Sequence, residues 1–288
     1  MMQNKNNSRT KVILLGTGTP NPDPAHSGCS VCIIVDETAY IIDFGVNVVR
    51  QVAALTSEYS GPLPELKIKK FCTAFCTHLH SDHTLGYPDL ILTPWIMGRE
   101  KPLTVYGPSG IKEMTENILE AYKEDIHYRI VGLEPINKTG WKVNAYEIHE
   151  GVFFEDNNIK VEAFLVNHGT MNSAYGFRFT TRDKTIVISG DTAPCENIIA
   201  YAQNADILIH EVYYKKGFDT LPSAWKKYHA AHHTSTQQLA EIANKCNPEL
   251  IITYHTLFWG VGDKEILHEI TQDYKGKVVI GRDLQLFH

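Results

Sequence analysis

Thr77-His78-Leu79-His80-Ser81-Asp82-His83, an H-x-H-x-D-H run directly behind the apolar stretch 71–76, decides how this chain is read. Four side chains able to ligate metal crowd into positions 78–83. Neutral imidazole and carboxylate are borderline ligands that suit Zn²⁺ and its neighbours, and a loop leaving a strand can turn all four toward one point. Three later segments repeat the arrangement, each placing a ligand-type side chain at the end of a β-like apolar run: His168 in 166–169, Asp191 in 188–192 and His255 in 252–255. Loops at strand ends are where a rigid sheet presents functional groups. Together these positions supply five His and two Asp, enough for two metals if one Asp bridges them.

Composition sets the frame. With 288 residues, 43% of them hydrophobic and 21% charged, the chain has the means for one continuous core, and a single domain over residues 11–288 is expected behind a flexible polar segment, 1–10. A net charge of −6 argues against a broad phosphate-binding surface, so a small or weakly charged substrate is expected and nucleic acid is disfavoured, while the lack of an apolar run of about eighteen residues disfavours a membrane. The first ten residues lack the apolar core of a secretory signal, which points to the cytoplasm unless a signal was removed to give a periplasmic or secreted protein. Six Cys are too few for a disulfide framework. Cys29 and Cys32 form a C-x-x-C without a second pair, and Cys32 reads as a core position of a strand.

Periodicity predicts strands at 11–15, 31–35, 40–43, 71–76 and 103–106. It predicts a helix whose apolar stripe runs through Val46, Val49, Val52, Ala53 and Leu55, and others at 88–92 and 109–123. The second half reads as strands 143–149, 159–166, 174–180, 185–189, 207–209, 250–253 and 278–280, with helices 196–203, 236–245 and 264–273. Mixed strands with helices distributed among them suggest two sheets covered outside by helices, a four-layer αββα sandwich of α/β class.

The order H-x-H-x-D-H, then His168, then Ser189-Gly190-Asp191-Thr192, then His255 resembles the metallo-β-lactamase superfamily of dinuclear metal hydrolases, from about residue 14 nearly to the C-terminus. Within it, Ile209-His210-Glu211 and the segment 233–243 resemble the ribonuclease Z branch, which also holds phosphodiesterases and arylsulfatases. The resemblance implies that His78, His80 and His168 hold one metal, Asp82, His83 and His255 the other, and that Asp191 bridges two Zn²⁺ ions, with Mn²⁺ or Fe as alternatives. It implies that Asp43 braces the His-rich loop, that His233 acts as general acid oriented by Glu211, and that the chain forms a homodimer.

Such a ligand set lets two metals about 3.5 to 4 Å apart share a hydroxide that attacks a phosphodiester or related small ester. Catalysis is therefore expected from Asp82, Glu211 and His233, with an arylsulfatase or lactonase reaction as the alternative on the same site. Aromatic and apolar candidates for the substrate pocket are Trp95, Met171, Tyr213, Phe258 and Trp259. Only residues 169–190 separate His168 from Asp191, whereas the resembling ribonuclease Z enzymes carry a long tRNA-binding insert there, so tRNA 3′ processing is disfavoured. A non-hydrolytic di-iron or metal-binding protein is the reading from another class.

Overall fold

The computed structural model describes residues 9–288, so residues 1–8 of the segment expected to be flexible lie outside the described residues. In chain order the strands are β1 (Thr10–Gly16), β2 (Ser30–Val35), β3 (Thr38–Ile42), β4 (Thr73–Phe75), β5 (Leu103–Gly107), β6 (Val143–Glu147), β7 (Gly151–Glu155), β8 (Lys160–Leu165), β9 (Tyr175–Thr180), β10 (Thr185–Ile188), β11 (Ile207–Tyr213), β12 (Leu250–Leu257), β13 (Lys277–Ile280) and β14 (Gln285–Phe287). The helices are α1 (Val48–Leu55), α2 (Ser81–Thr84), α3 (Tyr87–Ile96), α4 (Ile111–Ala121), α5 (Lys123–Val131), α6 (Glu196–Tyr201), α7 (Lys215–Phe218), α8 (Ser223–His232), α9 (Thr236–Cys246) and α10 (Asp263–Asp273).

Two compact units divide these elements: residues 20–148 with the described chain up to Gly16 and Asp283–His288, and residues 17–19 with 149–282. Each is built on a seven-stranded mixed sheet, so the expected α/β class with two mixed sheets and accompanying helices is what the chain adopts.

The first sheet runs β14-β1-β2-β3-β4-β5-β6, antiparallel from β14 to β3 and parallel from β3 to β6. Alternate residues of β1 to β3, among them Ile13, Leu15, Cys32, Ile34 and Ile41, pack with Val48, Val49, Val52 and Leu55 of α1 and with Tyr87, Leu90 and Ile91 of α3. The intervening residues Val12, Leu14, Val31 and Ile33 are buried as well. A strand buried on both faces reads as a near-continuous apolar run, which is why 11–15 and 31–35 stand out. Val46, expected in the α1 stripe, precedes the helix and is exposed. Trp95, expected in a pocket, is instead fully buried in this core, its indole N–H donating to the Asn137 carbonyl at 2.8 Å.

The second sheet runs β13-β12-β11-β10-β9-β8-β7, parallel from β13 to β10 and antiparallel from β10 to β7. Leu208 and Val187 pack with Ile198 of α6 and Ile242 of α9, and Val212 and Ile251 with Leu239 of α9 and Ile266 of α10. Helix α9 begins with a capping box in which the Ser235 hydroxyl accepts the Gln238 N–H and the Gln238 side chain accepts the Ser235 N–H. That cap fixes the chain immediately after His233 and Thr234.

Six elements differ from the sequence reading. Strands β7 and β14 and helices α2, α5, α7 and α8 are present where the sequence reading has neither strand nor helix. The polar helix α8, Ser-Ala-Trp-Lys-Lys-Tyr-His-Ala-Ala-His, buries no residue completely and so carries no apolar stripe to announce it.

Candidate metal centre

Parallel strands end where ligand-type residues begin. In the first unit the chain leaves β4, passes Thr77, His78, Leu79 and His80, and enters α2, so Asp82 and His83 sit on a helical turn rather than on the expected loop. Asp43 follows β3 in a left-handed conformation, φ 56°. Its carboxylate accepts the Thr77 N–H at 2.7 Å, the Thr77 hydroxyl at 2.8 Å and Nδ1 of His83 at 2.9 Å. The Thr77 hydroxyl lies 3.0 Å from Nδ1 of His78. Asp43 therefore orients His83 directly and His78 through Thr77, and in both rings the protonated Nδ1 leaves Nε2 as the lone-pair donor.

The donor spacing fits a metal. Nε2 of His78 lies 3.1 Å from Nδ1 of His80, and Nε2 of His83 lies 3.5 Å from Oδ2 of Asp82. Ligands about 2.05 Å from a tetrahedral ion stand roughly 3.3 Å from one another. Imidazole and carboxylate donors at this spacing, buried at His78, Asp82 and His83 and half-buried at His80, match a coordination shell.

The second unit brings together the rest. Asp191 follows β10 beyond Gly190, whose φ of 62° turns the chain. Nε2 of His255 lies 3.3 Å from Oδ2 of Asp191, again the edge length of a coordination polyhedron. His255, expected just past a strand, lies inside β12. Glu211 pairs with Tyr254 and Val212 with Thr256, so His255 is the extra residue of a β-bulge, with φ 44°. A bulge re-aims a side chain without ending the strand, and left-handed backbone at a non-glycine residue is the accompanying strain. His168 is held by its Nδ1, 3.0 Å from the His232 carbonyl, which again leaves Nε2 as donor.

Glu211, inside β11, is fully buried. Its Oε1 accepts the backbone N–H groups of Thr192 at 3.1 Å and Thr234 at 3.0 Å and lies 3.3 Å from Nδ1 of His233. The Thr192 and Thr234 amides went unread in the sequence, because backbone donors leave no motif. Burial, followed by the charge of Asp191, pushes the Glu211 carboxyl well above the usual carboxylate range. Its Oε2 is buried without a hydrogen-bond partner among the described residues, an orphaned acceptor of the kind a proton or cation satisfies. The His233 ring stacks on that of His255 at 5.6 Å and stands edge-on to that of His168 at 5.5 Å. Next to Glu211, His210 is fully buried, its Nδ1 2.6 Å from the Glu211 carbonyl, and burial lowers its pKa to about 4.

The aromatic and apolar sequence candidates contribute no donor to this cluster. Tyr213 stacks on Phe218 and packs against Trp259; Phe258 and Met171 lie half-buried against helix-packed cores. Cys29 and Cys32 are buried thiols outside any disulfide, and Cys29 Sγ lies within 4.8 Å of donor atoms of Asp43 and His83.

A family model described as the beta-lactamase superfamily domain matches residues 38–256. The chain is 28% identical over 279 residues to the ribonuclease Z of Mycobacterium bovis (strain BCG / Pasteur 1173P2), covering 95% of this chain and 96% of that one. Among solved structures, the metallo-beta-lactamase fold protein YhfI from Bacillus subtilis aligns with a TM-score of 0.74 at 16% identity, covering 97% of this chain and 99% of that one. The short form of human tRNase Z aligns with a TM-score of 0.68 at 20% identity, covering 96% and 98%. These likenesses assign the fold. The near-complete mutual coverage with the mycobacterial protein leaves no room for a long extra insert in it. The short interval 169–190 therefore does not separate this chain from proteins of that name, which corrects the argument drawn from it.

Proposed function

Because the chain belongs to the beta-lactamase superfamily, we propose that it is a metal-dependent hydrolase of phosphodiester bonds, with residues 11–288 acting as one domain. The observation that carries the reading is the shared design of the two ligand groups: His and Asp donors, all buried but the half-buried His80, spaced as in a coordination shell, with the orienting contacts of His83 and His168 made through the ring nitrogen that would not ligate. His78, His80 and His168 would hold one divalent ion, Asp82, His83 and His255 a second, and Asp191 would bridge. Ions held there would supply Lewis acidity toward the phosphoryl oxygen and lower the pKa of water toward neutrality.

The protein's own groups do the proton work. With Nδ1 of His233 directed to Glu211, its Nε2 is left to carry a proton to the departing alkoxide, and Glu211, pinned by two backbone amides, keeps the ring in that tautomer.

A second reading makes the diester part of an RNA 3′ end. The relatives named ribonuclease Z that align over nearly the whole chain favour it. The test is metal content of the purified protein together with turnover of a bis-aryl phosphodiester, an aryl sulfate, a lactone and a tRNA precursor. About two metals per chain with diester turnover is the expected result, and precursor cleavage would select the RNA reading. Turnover of the sulfate or lactone alone would overturn the phosphodiester assignment.

A further inference from the structure

A cavity of about 650 Å³ opens beside His168, lined by Asn167, Gly169, Ala224, Lys227, Tyr228 and His232 among others. Its size lies within the roughly 300–1,000 Å³ of small-ligand sites. One wall is the last two turns of α8, the other the loop that carries His168. Gly169 N–H donates to the Ala231 carbonyl at 2.9 Å, and Nδ1 of His168 meets the His232 carbonyl at 3.0 Å. Gly169 has φ 60°, and a Cβ there would lie 1.9 Å from Nε2 of His232, so only glycine lets the loop approach the ring so closely. The cavity is thus keyed to a residue we assign to the metal centre.

Its lining is specific in kind. The rings of Tyr228 and His232 stack at 4.2 Å with planes 23° apart, and Tyr228 is 39% exposed at the cavity. Trp225, more than half exposed, stands edge-on to Tyr228 at 5.8 Å. Lys227 is exposed at the rim, and among the described residues no carboxylate lines the cavity. In a chain of net charge −6, an acid-free cavity with a lysine and an aromatic platform selects an anionic planar group. Stacking on an aromatic face is tolerant of base identity, while lysine supplies a point charge for phosphate.

Building on the phosphodiester reading, we propose that this cavity is a subsite for one nucleotide unit of the substrate, its base against Tyr228 and its phosphate on Lys227. Tyr228 and Lys227 are specificity residues: they grip the part of the diester beside the scissile bond and take no part in bond breaking. A nucleotide-bearing diester then outcompetes an aryl diester of equal reactivity.

Calorimetric binding of a nucleoside 5′-monophosphate to the purified protein tests this, with the nucleoside and inorganic phosphate as controls. The monophosphate should bind at least tenfold more tightly than either fragment; Tyr228→Leu should weaken it roughly tenfold while phosphate binding is unmoved, and Lys227→Gln should weaken it roughly tenfold while nucleoside binding is unmoved. Both positions are exposed on α8, so folding is preserved. Monophosphate binding no tighter than phosphate, or equal in wild type and both variants, overturns the subsite. In turnover, the ratio of kcat/KM for a dinucleotide diester over a bis-aryl diester should fall about tenfold in each variant, and an unchanged ratio overturns it. Failure of the wild type to hydrolyse any diester would remove the proposed reaction, while Tyr228-dependent nucleotide binding would still support the subsite.

Discussion

Asp43 accepts Nδ1 of His83 at 2.9 Å with one carboxylate oxygen while holding the Thr77 hydroxyl, and through it His78, with the same oxygen at 2.8 Å. One buried carboxylate thus sets the tautomers of two proposed ligands. Asp43→Asn keeps the shape but turns an amide donor toward one partner, favouring a ring with Nδ1 as acceptor and Nε2 protonated. Metal affinity should drop about 10- to 100-fold, measured by competition with a chelating dye. Unchanged affinity would mean that Asp43 only fastens the loop.

Removal of His233 separates proton transfer from metal-borne chemistry. His233→Ala should lower kcat by roughly 10²- to 10⁴-fold on a diester with an alkyl leaving group, and far less on one releasing a nitrophenol, which departs without a proton. The two substrates compared at one pH give the answer, and equal losses on both would sink the general-acid role.

The H-x-H-x-D-H run was legible because its donor side chains are neighbours in sequence, whereas Asp43, a single carboxylate 34 residues before Thr77, came only through the family resemblance. His255 was found as a residue but misplaced: the run Leu-Ile-Ile-Thr-Tyr-His-Thr-Leu continues through it, and a bulge changes pairing, not composition. Helix α8 was invisible for the opposite reason. Its work is done by Tyr228 and His232 at a cavity wall and by carbonyls that hold His168 and Gly169, none of which needs an apolar face. Trp95 shows the cost of reading aromatics as pocket residues when a large ring is equally a core filler.

Burial of His210 gives an acid limb to stability. Its pKa is lowered to about 4 in the fold against about 6.5 in the unfolded chain, so between those values the unfolded state binds the extra proton. The contribution is complete above pH 6.5 and is lost as pH falls toward 4, a span worth roughly 3 kcal/mol. Urea unfolding of metal-free protein at pH 7, 5.5 and 4.5 should show this decline, and His210→Leu should flatten it. An equal slope in the variant would move the acid sensitivity to other groups.

Metal removal should destabilise as well as inactivate. Six of the seven proposed ligands stand in His–His or His–Asp pairs 3.1 to 3.5 Å apart, all of them buried but the half-buried His80, and without a cation their lone pairs and charges are left facing one another. Anything that binds only the folded chain raises its stability by mass action, about 4 kcal/mol at a free concentration a thousandfold above Kd. Chelation should therefore lower Tm by several degrees at pH 7.5, and readdition of Zn²⁺ should restore both Tm and turnover. Because ligation requires neutral imidazole, metal content should also fall sharply by pH 4.5. A Tm indifferent to chelator, with metal content unchanged at pH 4.5, would show that these five histidines are not the ligands.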